Sequence, residues 1–289
     1  MDSPVWMVLR GVCRGMHLAG YFCAFGTALF GALLGQPPGL RRLGWGGFAL
    51  ALLGGAAWFW LQTADFAGVG DPATVLSTLP LVAGYTRFGW LTLARMGVLL
   101  LAMLCAQRRC WRVAAVLAGA GVLAESWLGH GAAMGGAEGW FLFACSLAHI
   151  GAAAAWLGTL PALALGLRCS QNPQALAEKY SRLGLVCVAV ILVTAFLQYL
   201  FLIGRVSAFF TTAYGAAALA KLVLFGGLVA LAGRNRYRLT PALPASRAAL
   251  GRAVAWEMVL GLAVLLAAGV LMQLAPPAMV TAAMAGMAG

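Results

Sequence analysis

Histidine occurs three times in 289 residues, as His17, His130 and His149, and each has sulfur four residues away: Cys13, Met134 and Cys145. Residues four apart share one face of a helix, so each stretch offers a nitrogen and a sulfur to the same neighbour. Neutral imidazole with thiol or thioether suits copper, the sulfurs favouring Cu(I). Methionine and cysteine are also ordinary packing residues, so the weight rests on the histidines. Met7 and Met16 lie near His17, and Met279, Met284 and Met287 form a sulfur-bearing C-terminal stretch suited to loose capture of such an ion. Arg95, Glu125 and Lys221 interrupt apolar runs. A charge centred in a bilayer costs about 2.5–3.5 kcal/mol on insertion scales, so such residues invite a functional reading. Three readings stand for Arg95 and Lys221. They reach to headgroups on their long stems, they pair with Glu125, or they neutralise the propionates of a haem b held by two histidines.

The elements that must position these groups are membrane helices. Of the residues, 63% are hydrophobic and 9% charged, and mean hydropathy is +0.93. Soluble domains carry about 25% charged residues. In lipid, only helices and closed barrels satisfy the backbone. The apolar runs have helical length, about 20 residues to cross the hydrocarbon, and lack the roughly ten-residue alternation of barrel strands. The predicted fold is therefore all-α, a polytopic bundle of about eight transmembrane helices over 11–34, 44–64, 88–106, 113–133, 140–167, 183–203, 214–233 and 253–275. The first run has no small-residue cleavage site after it and is expected to be a retained helix. Asp71-Pro72 reads as an N-cap followed by proline at the first helical position, predicting a short helix on the outer surface.

A net charge of +12 points here to orientation, not to nucleic acid. Arg41 and Arg42; Arg108, Arg109 and Arg112; Arg168, Lys179 and Arg182; and Arg234, Arg236, Arg238, Arg247 and Arg252 all fall in alternate loops. The positive-inside rule places those loops in the cytoplasm and both termini outside. Arg10 and Arg14 oppose this mildly. All three histidines then fall in the outer half of the membrane, and with the sulfur beside them they are expected to converge on one copper site there. The seven cysteines lack CxxC spacing, and free thiols are expected.

The chain also repeats itself. His17 and His149 are each followed nine residues later by Gly-Thr, at Gly26-Thr27 and Gly158-Thr159. Thr86, Gly89, Leu93 and Arg95 reappear at the same spacing as Thr212, Gly215, Leu219 and Lys221. These matches predict two tandem four-helix units, 1–137 and 138–289, related as a parallel repeat. Glu125 and Glu257 share the histidine offset but sit at different expected depths, so that match is read as coincidence.

Three stretches resemble the copper resistance protein D family: His149 through Trp156 to Gly158; Thr212-Ala213-Tyr214-Gly215 through Lys221 to the run Asn235-Arg236-Tyr237-Arg238-Leu239-Thr240-Pro241; and Arg14 with His17. The resemblance covers nearly the whole chain and implies an inner-membrane protein of bacteria that moves copper toward the cytoplasm. It also implies a periplasmic CopC-like copper carrier as partner. The competing expectation is a haem-binding membrane redox protein. No hydrolase motif or Walker A loop is visible, and no enzymatic activity is expected.

Overall fold

The computed structural model describes residues 3–129 and 134–279. Ten helices follow in order: α1 (Pro4–Leu33), α2 (Leu40–Ala67), α3 (Pro72–Tyr85), α4 (Arg87–Gln107), α5 (Trp111–Ala124), α6 (Gly136–Cys169), α7 (Pro173–Leu202), α8 (Ala208–Thr211), α9 (Ala213–Arg234) and α10 (Arg247–Leu271). A 3₁₀ turn, Glu125–Leu128, continues α5, and a π turn, Asn235–Leu239, continues α9. No strand occurs among the described residues. Eight of the helices are long and apolar enough to cross a membrane, which is the expected all-α membrane bundle. α3 is the short helix expected after Asp71, whose carboxylate accepts from the Thr74 amide at 2.9 Å. The brief α8, in the corresponding loop of the second half, was not expected.

α1 is the most buried span and the centre of the bundle. Glycines let its neighbours approach, as small residues do between membrane helices. Side chains at Gly11 and Gly15 would collide with the α10 backbone at Val270 and Leu266, and one at Gly20 with Ala51 of α2. Gly26 of α1 lies directly on Gly158 of α6: a Cβ at Gly26 would strike the Gly158 carbonyl, and one at Gly158 the Phe22 carbonyl of α1. At the far edge α9 is the least buried span, its apolar side chains turned outward.

Two corners are built alike. Thr86 caps α4 by accepting from the Gly89 amide at 2.9 Å and donating to the Val82 carbonyl at 2.6 Å. Thr212 caps α9 by accepting from Gly215 at 3.0 Å and donating to Ala208 at 2.8 Å. In both corners the glycine sits where a Cβ would strike the carbonyl of the preceding short helix.

Several boundaries differ from the sequence-based expectation: α1, α7 and α10 begin at Pro4, Pro173 and Arg247, earlier than the expected 11, 183 and 253, and the end of the fourth span bears on the site. The fourth span ends as an α-helix at Ala124, not near 133, so Glu125 lies at its end and not some turns inside. The reason is tertiary. Arg14 draws the Leu128 carbonyl and Arg87 the Trp127 carbonyl, at 3.4 and 2.5 Å, and these side chains replace the helical donors that would have continued the span.

Candidate functional site

Arg14, His17 and Tyr21 follow one another on α1 at helical spacing, and all three are buried, His17 and Tyr21 completely. α2 closes on this part of α1 through two glycines, one against its backbone and one against the imidazole. A Cβ at Gly54 would stand 2.7 Å from the His17 amide nitrogen, and one at Gly55 would stand 2.7 Å from His17 Nδ1. The ring is then enclosed by Trp58 at 5.8 Å and Tyr21 at 5.9 Å, centroid to centroid.

Above it lies a buried charge cluster. Glu125 is fully buried, with both oxygens engaged: Oε1 accepts from Arg14 Nε and Nη2 at 3.2 and 2.7 Å, and Oε2 pairs with Arg95 Nη1. Arg95 Nε donates to the Gly121 carbonyl at 2.8 Å, and its guanidinium lies over the Tyr21 ring at 5.0 Å. Arg14 stacks on Trp58 at 4.8 Å. Tyr21 in turn donates its hydroxyl to the Arg95 carbonyl at 2.9 Å. Two guanidiniums and one carboxylate thus tie α1, α4 and the end of α5 around His17. Of the readings open for Arg95, pairing with Glu125 is the one realised. It is 2% exposed, so it does not reach to headgroups, and Glu125 already occupies it.

The hydrogen bonds fix the histidine tautomers. His17 Nδ1 lies 2.8 Å from the Ala51 carbonyl, which can only accept, so Nδ1 carries the proton. Nε2 is then a bare lone pair, buried and without a hydrogen-bond partner. In the second half, His149 Nδ1 lies 2.9 Å from Thr194 Oγ1. That hydroxyl donates to the Val190 carbonyl at 2.7 Å, so it accepts from His149, and Nε2 again keeps its lone pair. An acceptor that orients Nδ1 and leaves Nε2 free is also the arrangement of ligand histidines in metalloproteins.

The histidines turn to different helices, α2 and α7. Among the described residues no three His, Cys, Asp or Glu side chains meet in a group able to hold a metal ion. Cys13 is half-buried and Cys145 buried, each one turn from its histidine, and both are free thiols. Met134 and Met279 both pack on an apolar cluster around Leu142, Leu202 and Tyr214. His130, Met284 and Met287 lie outside the described residues. Lys221 on α9 is within electrostatic range of His149 and half-buried. Among the described residues no carboxylate lies within ion-pair distance of it. Glu257 lies elsewhere, accepting from Asn235 Nδ2 near the basic loop that follows α9. The roles of Tyr21, Trp58 and Asn235 were not evident from sequence. The i, i+3, i+7 run of Arg14, His17 and Tyr21 is the signal that points to the first.

Two stretches match known families. Residues 3–140 match the family described as Copper resistance protein D-like, N-terminal domain, and residues 174–271 match Copper resistance protein D. A curated relative from Pseudomonas syringae pv. tomato, "Copper resistance protein D", is 37% identical over 136 residues. That alignment covers 44% of this chain and 44% of the relative, less than half the relative's length. No solved structure matches. Arg14, His17, Trp58, Arg95 and Glu125 all fall within the first family match, Tyr180, Asn235 and Glu257 within the second, and His149 between them.

Proposed function

This chain belongs to the copper resistance protein D family, and on that premise we propose that it moves copper across the bacterial inner membrane toward the cytoplasm. The observation that carries the proposal is His17: a fully buried imidazole with its proton held by the Ala51 carbonyl and its Nε2 lone pair unused. His149 repeats the arrangement in the second half. The two act as separate nitrogen stations, with Cys13 and Cys145 one turn away as soft sulfur donors. Met134 and Met279 offer thioethers near the outer end, and His130 is proposed to join them. The chain acts as a transport protein and not as an enzyme.

The charge cluster sets how tightly His17 holds its cargo. Two guanidiniums against one carboxylate leave one net positive charge beside the imidazole, and like charge disfavours a resident cation. A conducting site must release as well as bind, so weak holding suits transport. The orientation follows from the basic loops: those joining α1 to α2, α4 to α5, α6 to α7 and α9 to α10 are cytoplasmic, and both termini are periplasmic. A CopC-like carrier would then deliver copper to the outer ends of α1 and α6. The alike corners before α4 and α9, together with the Gly26–Gly158 contact, support descent of the two halves, 1–137 and 138–289, from a duplicated four-helix unit.

The test is copper accumulation in cells expressing the chain at matched membrane levels. His17→Ala and His149→Ala should each lower accumulation. Unchanged accumulation in the double variant would remove the proposed stations. Loss of a haem absorption band in these variants would support the alternative haem b redox reading in place of transport.

A further inference from the structure

A second polar site lies at the other end of the bundle. A cavity of about 250 Å³ is bounded by α7, the end of α9 and α10. Glu257 of α10 faces it, 3% exposed, with no cation within ion-pair distance among the described residues. Its partner is the side-chain amide of Asn235, also buried, whose Oδ1 is left without a hydrogen bond. The π turn Asn235–Leu239 brings this about. The Asn235 carbonyl accepts from both the amide and the hydroxyl of Thr240, at 2.8 and 3.0 Å, and the widened turn sets the asparagine side chain against α10. Single π turns within helices are rare and concentrate at functional sites.

The donor atoms on offer are oxygens: the Glu257 carboxylate, Asn235 Oδ1 and the Tyr180 hydroxyl, which donates to the Trp156 carbonyl at 3.3 Å. Oxygen ligands suit hard cations and not Cu(I). The other ionisable groups lining the cavity are Tyr180 from α7 and Arg236 and Tyr237 from the π turn, while α6 contributes Trp156 and Leu163. Arg236 Nη1 donates to Ser181 Oγ at 2.5 Å, so a metal ion here would face a guanidinium. A proton would not, because it only neutralises the carboxylate. The amide serves both states. Its N–H donates to the ionised carboxylate, and, turned over, its oxygen accepts from the protonated acid.

We propose that Glu257 and Asn235 form a proton-exchange site at the basic-loop end of the bundle. A Glu257 oxygen takes a proton from water reaching the cavity past Tyr237, an exposed residue of the π turn after α9, and returns it by the same route. Coupling of this exchange to copper movement rests on the transport reading above.

Infrared difference spectra of the purified full chain in lipid, at stepped pH, test the site without copper. The chain has only seven acidic residues, so one carboxylic-acid C=O band is resolvable. That band should be present in the wild type and absent in Glu257→Gln; identical spectra overturn the proposal. Should Glu257→Gln fail to fold, Asn235→Leu keeps the carboxyl and should move the band's pH midpoint, and an unmoved midpoint is equally fatal. In proteoliposomes, Glu257→Gln should flatten the dependence of copper entry on pH at the basic-loop side, and an unflattened dependence overturns the coupling. A wild type that admits no copper at all refutes transport and leaves the infrared result standing.

Discussion

Replacing Glu125 by Gln removes the only carboxylate between two buried guanidiniums. Both Arg14 and Arg95 are at most 5% exposed, so neither can swing to water when its partner is lost. Removing one member of a buried ion pair costs about 3–5 kcal/mol, because the remaining charge stays desolvated. Here two charges remain, and Gln can still accept one hydrogen bond, so the expected loss is near the middle of that range. At about 1.4 kcal/mol per decade, this is on the order of a thousandfold in the folding equilibrium. The assay is reversible unfolding of the purified protein in lipid, scored by the fraction folded. Arg95→Met should cost less alone than Glu125→Gln. The double variant should be less damaging than the sum, with a coupling on the order of 1–3 kcal/mol. Glu257→Gln is the control, because Glu257 has only an amide partner, and its cost should be well below that of Glu125→Gln. Equal stability of the wild type and Glu125→Gln would refute the view that the cluster holds α1, α4 and α5 together.

Further outcomes follow from the same contacts. Gly26→Val or Gly158→Val should abolish folded protein, because a Cβ at either position meets the backbone of the other helix, whereas Gly226→Ala, which faces open space, should express normally. Thr86→Ala and Thr212→Ala should each destabilise by about 1 kcal/mol, the usual worth of an N-cap, and to similar extents if the two corners are equivalent. Asp71 lies outside the spans, and Thr74 holds its carboxyl below the ordinary value by backbone and hydroxyl hydrogen bonds. With the folded value depressed, the cap's contribution is complete above the unfolded value and fades as pH falls through the folded one. Protection of the α3 amides, measured against their intrinsic exchange rates, should therefore fall in acid in the wild type, and should be reduced at neutral pH in Asp71→Ala. Cysteine labelling should reach loop positions near Arg109 and Arg236 only from the cytoplasmic face; reaction from outside would invert the orientation.

Much of this fold was legible because lipid imposes simple rules. Apolar length marked the eight spans, and Asp71-Pro72 marked the surface helix, since cap chemistry is local. The end of the fourth span was not legible. Ala124 to Leu128 interrupts the apolar run only at Glu125 and Ser126, and the carbonyls of Trp127 and Leu128 are taken by Arg87 and Arg14 from other elements. The same limit applies to the site. His17 and His149 stood out by rarity and matched spacing, but nothing in the sequence showed that Ala51 and Thr194 take their Nδ1 protons. Nor did it show that Gly55 clears space for the His17 ring. Arg95 was recognisable as a buried-charge problem, yet choosing among its partners required the packing of α4 against α5. Asn235 lay within a recognisable motif, but its contact with Glu257 depends on a π turn that no periodicity reveals.

The measurement that bears most directly on copper handling is the metal content of the purified protein after copper loading, with an absorption spectrum of the same sample. Wild-type protein should retain copper and show no Soret band. His17→Ala and His149→Ala should each hold less, and the double variant least, at unchanged stability. Full copper retention in the double variant, or a Soret band that disappears with either histidine, would contradict the account.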